Sequence, residues 1–543
     1  YYHAEAQKDG KRSDYQEAAD LYRKYLAYFP GEADTADSNF LLAEILFESE
    51  QYVDAVSEYE RTAYGYPFHE KSAEAGYAAI LAYREHKQNL ADGPARDQWH
   101  QAYLDSGLKF ADTYPDHAES GAVLTTVAED LFQQNQFDLA IGVGQTVVGK
   151  QPAVKPELAR TAWTVIAHSH FDLENFADAE SAYYSLRNLI PADDPTARDE
   201  IKERIASSIY KQGEQARDAG DLETAITHFT RLGEVVPDSE IRATADYDAA
   251  AALINLEAWD RASAQLETFR RDYPDSEFAD DISQKLAVTY LESGRSAQAA
   301  REFERIATAD TSSDEVRREA LWRAAELYEE SGPLDAEKRV LNDIIDRYPN
   351  PIAESIEARA RLLAIAEQAG DEQERIARLE ELVRIDATAG AERSDRTRYL
   401  AATAALQLAE PVRRRFEVVK LTQPLADSLK LKRDLMEGVI SAYTGAADYG
   451  VAEVTTAATF RLGEVYEQFS SDLMESDRPT NLEADALEQY EILLEEQAFP
   501  FEEKAIDLYK ANTDRAADGV FDEWVEKSFD RLAGLMPARY AKK

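Results

Sequence analysis

One spacing recurs along this chain and restricts its fold more tightly than any other feature: an alanine, usually an aromatic ring four residues later, and a proline twelve residues after the alanine. The triplets are Ala18, Tyr22, Pro30; Ala55, Tyr59, Pro67; Ala179, Tyr183, Pro191; and Ala225, Phe229, Pro237. Two units place another residue at the ring position, Gly144 after Ala140 and Leu266 after Ala262, ahead of Pro152 and Pro274. Ala299 and Phe303 lack the proline, and Ala336 precedes Pro349 by thirteen. Pro30 and Pro67, Pro115 and Pro152, and Pro237 and Pro274 each stand 37 residues apart, with gaps of 39, 48 and 46 elsewhere. An alanine and a ring at i, i+4 share one helical face, where the small residue admits a close backbone and the ring fills the adjacent groove. The proline, lacking an N–H, stops that helix. Upstream of each alanine lies a second apolar-periodic segment, such as FLLAEILFE at 40–48 or LAVTYLE at 286–292, joined through a polar or Gly-containing turn such as ESGRS at 292–296. Each unit is therefore helix, turn, helix, and neither helix can bury its stripe without the next unit, so the units must stack.

The segment YPDSEFADDISQKLAVTYLESGRSAQAAREFERI at 273–306 resembles the tetratricopeptide repeat. It is closest in style to the slightly long form with YPxS between units in bacterial outer-membrane assembly lipoproteins and Tol–Pal accessory proteins. The likeness covers residues 1 to about 385 and implies an elongated, right-handed all-α solenoid of eleven to thirteen helix pairs. We expect a repeat superhelix over 1–390, with insertions near 84–103 and 201–220, and atypical helical repeats with a C-terminal cap over 391–543. The second insertion reads as a first helix about two turns too long. In the later region helical runs are predicted at 396–409, 411–444, 451–475, 482–497 and 501–535, broken at Arg478–Pro479 and Phe499–Pro500. The motifs YGVAEVTTAATFRLGEVYEQF at 449–469 and LEQYEILLEEQAFPFEEKAIDLY at 487–509 look like the C-terminal portion of tetratricopeptide proteins from envelope motor, TonB-type or gliding-motility gene sets.

Composition narrows the chemistry. Sixty Lys and Arg against 105 Asp and Glu give a net charge of −45, which disfavours a phosphate-backbone partner. The absence of cysteine removes thiol nucleophiles, Cys-ligated zinc, iron–sulfur clusters and disulfides. The chain opens on Tyr1, so we expect its natural initiator to lie upstream, where a signal peptide and a lipid anchor are open alternatives. No apolar run reaches the roughly 18 residues of a membrane span. His168 and His170 are i, i+2 on a helix and point apart, so they do not present two ligands to one metal. Carboxylate pairs such as Glu380–Glu381, Glu495–Glu496 and Glu502–Glu503 read as solvated helix faces, and no HExxH, GxSxG, Walker or dinucleotide loop occurs. No cofactor, metal or catalytic residue is expected; an enzyme would need an unadvertised site.

The resemblance implies that first-helix side chains of successive units line a concave groove. Carried over from Ala55 it assigns Asp37, Phe40, Glu44, Phe47 and Glu48; from Ala179, Thr161, Thr164, His168, Phe171 and Asp172; from Ala262, Thr244, Tyr247, Ala251, Ile254 and Asn255. Phe40, Phe47, Phe171 and Tyr247 are the candidate ligand-facing rings, the alternative being that they pack between neighbouring repeats; His168 carries the same alternative. A separate basic run, Arg413, Arg414 and Arg415 with Lys420, Lys430, Lys432 and Arg433, would meet an acidic partner or anionic head groups, or pair with neighbouring glutamates. The expectation is a noncatalytic scaffold in a bacterial envelope assembly, periplasmic with an outer-membrane association, whose partner is an envelope protein or extended peptide. The alternative is an export accessory that binds a glycan or cell-wall fragment on the same rings.

Overall fold

A helix whose apolar stripe covers only one face has to find a second helix, and here each finds it in its sequence neighbour. The computed structural model describes residues 2–309, 312–332, 334–480 and 482–540. Among these the chain forms twenty-six α-helices and no strand. Two compact units divide it, Tyr1–Pro274 and Asp275–Lys543, a division that does not coincide with the change in repeat regularity near 390.

In the first unit the pairs include Thr35–Glu48 with Tyr52–Tyr64, Ser120–Gln133 with Phe137–Val148, Pro156–Asp172 with Phe176–Arg187, and Pro195–Asp218 with Leu222–Val235. Ala55, Ala140, Ala179, Ala225 and Ala262 are sealed from solvent, and so are Tyr183, Phe229 and Leu266 at the ring position. A second small residue, twelve positions before each alanine, is equally buried: Ala43, Ala128, Ala167 and Ala250, with Gly213 in the unit of Ala225. A Cβ on Gly213 would lie 2.5 Å from the Phe229 ring, so the two helices of that pair meet at a distance only glycine permits.

In five pairs of the first unit the turn is a left-handed helix stop. Glu50, Asn135, Glu174 and Glu257 have φ of 62°, 58°, 60° and 55°, and Gly220 has 81°. The next N–H reaches back five residues: Gln51 to Leu46 O at 2.8 Å, Asn175 to His170 O at 2.8 Å, Asp221 to Ala216 O at 2.9 Å. These bonds satisfy carbonyls that a helix end leaves open. Residues 84–103 are not a separate body. They lengthen one pair, Ser72–Gln88 and Pro94–Thr113, and Trp99 closes the tip by packing edge-on against His86 at 4.4 Å and donating its indole N–H to Tyr83 O at 3.1 Å. In the pair that follows Pro191, the helix Pro195–Asp218 runs 24 residues.

The second unit keeps the period at one helix where the sequence hides it. Helix Leu334–Arg347 places Glu337, not Ala336, at the small-residue position; Glu337 is twelve before Pro349 and Leu341 follows four later. Glu337 is 4% exposed and is held by Arg361 at 2.7 Å, so a buried ion pair replaces the alanine contact. Two expected breaks are absent: helices Asp395–Glu417 and Ala484–Asp514 run through Pro411 and Pro500. An interior proline costs about 3 kcal/mol. Ala409, Phe416, Ala498 and Phe501, however, flank these prolines in one core with Met436, Val439 and Tyr443, and large apolar side chains there each contribute about 1.5–3 kcal/mol. The run expected at 411–444 instead breaks between Glu417 and Leu425.

A phenol-to-carboxylate bond recurs in both units. The ring of each tyrosine fills the space between helices while its hydroxyl donates outward: Tyr59 to Glu44, Tyr210 to Asp248 at 2.6 Å, Tyr273 to Asp246 at 2.8 Å, Tyr328 to Glu304 at 2.5 Å, Tyr443 to Glu410 at 2.6 Å and Tyr509 to Glu467 at 2.8 Å. Burial first, and the carboxylate second, raise these phenols above their ordinary range, Tyr328 to about 12.

Candidate functional site

Helices Ser120–Gln133 and Pro156–Asp172 are the first helices of successive pairs and touch each other directly. Between them lies a cavity of about 460 Å³, inside the roughly 300–1,000 Å³ range of ligand clefts. The first helix contributes Glu129, Phe132 and Gln133; the second contributes Glu157, Arg160, Thr161, Thr164, Val165 and His168. The second set advances by three and four, so one face of a single helix supplies it. Pro156 opens that helix at a position where a missing N–H costs nothing.

Rings form one wall. The His168 imidazole sits between Phe132, at 6.0 Å, and Tyr183, at 5.7 Å. Burial, reinforced by the Arg204 charge, holds His168 below its ordinary value and so favours the neutral ring, against the opposing pull of Asp172. Thr161 and Thr164 donate to Glu157 O at 3.2 Å and Arg160 O at 3.0 Å, which leaves their lone pairs as acceptors. Glu129 is half-buried, and burial with the neighbouring Asp130 raises its carboxyl. Among the described residues no hydrogen bond or ion pair engages the Glu129 carboxylate or the half-buried Arg160 guanidinium. One cation, Arg160, and two carboxylates, Glu129 and Glu157, thus face the same cleft beside an apolar wall.

Of the residues expected in the groove, Thr161, Thr164 and His168 line this cavity; Phe171 and Asp172 do not. Phe171 is half-buried and packs edge-on against Phe176 at 5.1 Å, as Phe47 does against Tyr52 at 5.5 Å. Phe40 is 8% exposed and tilts on Tyr59 at 5.9 Å, which makes it a packing residue and corrects its assignment as a ligand-facing ring. Glu44 is occupied by the Tyr59 hydroxyl. Tyr247 packs on Phe269 at 6.2 Å, and Asn255 ends its helix exposed. Six lining residues were missed. Glu129, Phe132 and Gln133 precede Ala140 by 11, 8 and 7, the offsets of Glu44, Phe47 and Glu48 from Ala55; applying the same frame to the unit with Gly144 at its ring position finds them.

The basic run separates into unlike parts. Arg413 is bonded to Glu410 at 2.9 Å and to Glu417, so the neighbouring-glutamate reading describes it; Arg414 and Arg415 are exposed. Lys432 is fully buried, which corrects its place in a surface patch. Its ammonium donates to Phe416 O at 2.9 Å and Val419 O at 2.7 Å, pairs with Asp472 at 2.5 Å and lies 4.2 Å from the Phe416 ring centre. It closes the C-terminal end of helix Asp395–Glu417. Among the described residues no group of three His, Asp or Glu side chains is arranged to hold a metal, and no helix is long and apolar enough to cross a membrane.

The tetratricopeptide-repeat family matches residues 3–70, and the YfiO outer membrane lipoprotein family matches residues 202–381. No curated protein matches the chain. Among solved structures, Naa15/Naa10 bound to HypK-THB is 13% identical, with 99% of this chain and 88% of that chain covered at a TM-score of 0.29. YrrB, described as a tetratricopeptide-repeat protein with an unusual peptide-binding site, is 14% identical over 42% of this chain and 94% of its own, at 0.20. A tetratricopeptide-repeat protein from Parabacteroides merdae is 13% identical over 52% and 98%, at 0.21. Taken with the stacked helix pairs, the two family matches make the fold an all-α tetratricopeptide-repeat solenoid with a YfiO-like segment over residues 202–381.

Proposed function

We propose that this chain is a noncatalytic protein-interaction scaffold of the bacterial cell envelope, and that the cleft between helices Ser120–Gln133 and Pro156–Asp172 receives an extended segment of its partner. The observation that carries the reading is the pair of unengaged charges, Glu129 and Arg160, facing one cavity with Phe132 and His168 along its wall. Arg160 suits a carboxylate, as a side chain or a chain terminus, through a two-pronged bond. Glu129 suits a cation or an N–H on the same segment, and the threonine oxygens accept from its backbone. The rings supply apolar contact, and the stacked pairs hold these groups in place before binding, which lowers the ordering cost. The envelope setting is supported by the match to an outer membrane lipoprotein family over 202–381.

The test is selection of random twelve-residue peptides on the intact protein, followed by affinity measurement against Arg160→Glu. Selected peptides are expected to carry an acidic group and to lose about 10- to 100-fold on the substitution, the equivalent of one charged hydrogen bond. Failure to select any peptide, or selective binding of cell-wall glycan strands instead, would overturn the reading in favour of the glycan alternative. Fractionation of the native cells tests the location separately.

A further inference from the structure

The helix Ala484–Asp514 carries two apolar faces, and only one is used inside the molecule. Leu494, Ala498, Ala505 and Tyr509 are buried, packed against the helix Ala452–Met474 and its neighbours. Ile492, Leu493 and Phe499 are 52%, 57% and 57% exposed. At about 100° per residue these three centre on a direction nearly opposite the buried stripe, so they cannot be spillover from the internal packing. Isolated exposed apolar residues are ordinary; here Ile492 and Phe499 lie about 20° apart and Leu493 about 100° to their side, so the three border one exposed face with Glu496 between them.

The charge around this face specifies what can cover it. Between Pro479 and Glu503 the sequence has eight carboxylates and no Lys or Arg. Glu496 and Glu503 fall within the exposed stripe by helical spacing, and Glu488 and Glu495 run along one edge of it. A second copy of this chain, at −45 overall, would set glutamate against glutamate there, and an anionic lipid surface would be repelled in the same way. We infer that this face docks an amphipathic helix of another protein, with an apolar stripe flanked by lysine or arginine. The apolar side chains supply the contact area and the glutamates supply register and a fast, salt-sensitive approach. This surface is in the second unit and does not depend on the Arg160 cleft.

The probe is a synthetic 21-residue Leu/Lys peptide with leucines at helical spacing, titrated onto the intact protein. A shuffled peptide of the same composition and a Leu/Glu version serve as controls, with hydrogen exchange read by mass spectrometry. The expected result is saturable binding that protects residues 484–503, weakens with salt and is at least about tenfold tighter than for the shuffled peptide. Ile492→Ser with Leu493→Ser is expected to lose about tenfold or more. Should that variant disturb the helix, Glu496→Gln with Glu503→Gln keeps the apolar side chains and should instead weaken binding and flatten its salt dependence. Equal binding of the shuffled peptide, protection elsewhere, indifference to both variants, or a self-associated dimer that buries 484–503 would each overturn the inference.

Discussion

Replacing Lys432 by methionine isolates one interaction cleanly, because methionine keeps most of the apolar stem and removes only the ammonium. That ammonium, fully buried, engages Phe416 O, Val419 O and Asp472. Its loss leaves the Asp472 carboxylate, with a side chain 15% exposed, without its cation. Breaking one side of a buried pair costs about 3–5 kcal/mol. The two carbonyls would each add about 1 kcal/mol if independent, but they share one donor and do not simply add. The remaining exposure lets water reach Asp472, so the lower end applies and Lys432→Met should cost about 3 kcal/mol. Adding Asp472→Asn removes the stranded charge and should return about 2 kcal/mol, leaving the cost of the carbonyls. A repeat array need not unfold in one step, so the assay is native-state hydrogen exchange of amides across 412–440, which reports local opening. A loss under about 1 kcal/mol, or a cost of Asp472→Asn that is the same with and without Lys432, would refute the account of this lysine as a buried clamp.

Two further outcomes follow from the first unit. Gly142→Ala, at an exposed helical site with nothing within 4 Å of the new Cβ, should stabilise by about 0.5–1 kcal/mol. Gly213→Ala gains the same propensity but drives a Cβ against the sealed Phe229 ring, a cost of about 1–3 kcal/mol, so its net sign should be reversed in urea unfolding. Burial chiefly lowers His100, His168 and His228 below the ordinary 6.5. The unfolded chain therefore takes up protons first as pH falls, and stability present above 6.5 is lost toward the lower folded values. From pH 7 to 5 the urea midpoint should fall relative to that of His168→Gln, and identical pH profiles of the two proteins would contradict the burial of this ring.

Helix pairing was legible because Ala55 and Tyr59, or Ala225 and Phe229, meet two demands at once, a close approach and a filled groove. The small residues at Ala43, Ala128 and Gly213 carry the same information in the partner helix, but an alanine among alanines draws no attention. Turns were less legible. Glu50, Asn135, Glu174 and Glu257 adopt the left-handed conformation that sequence reading expects of glycine, at a cost that the back-reaching hydrogen bonds and the packing of the next helix offset. Glu337 hid the register because a charge at a core position is credible only once Arg361, from the following helix, is known to be beside it. Lys432 misled for the same reason: a lysine amid basic residues reads as surface until the open carbonyls of Phe416 and Val419 are located. Pro411 and Pro500 were read as breaks because their local cost is visible in the sequence and the core that offsets it is not. The cleft itself was half visible, since Thr161, Thr164 and His168 follow from one frame and Arg160 from none.

The bonded tyrosines also give the molecule a built-in optical clock. Tyr28 is 78% accessible, so solvent reaches its phenol directly. Tyr59, Tyr210, Tyr443 and Tyr509 would have to form a phenolate beside a carboxylate inside closed helix pairs. Their folded values stand above the unfolded value, so the stability they confer is intact below about pH 10 and drains away above it. After a rapid jump to strong alkali, ultraviolet phenolate absorbance should therefore rise in an immediate step from the exposed rings and then in slower phases paced by pair opening, a record of local unfolding obtained without any label.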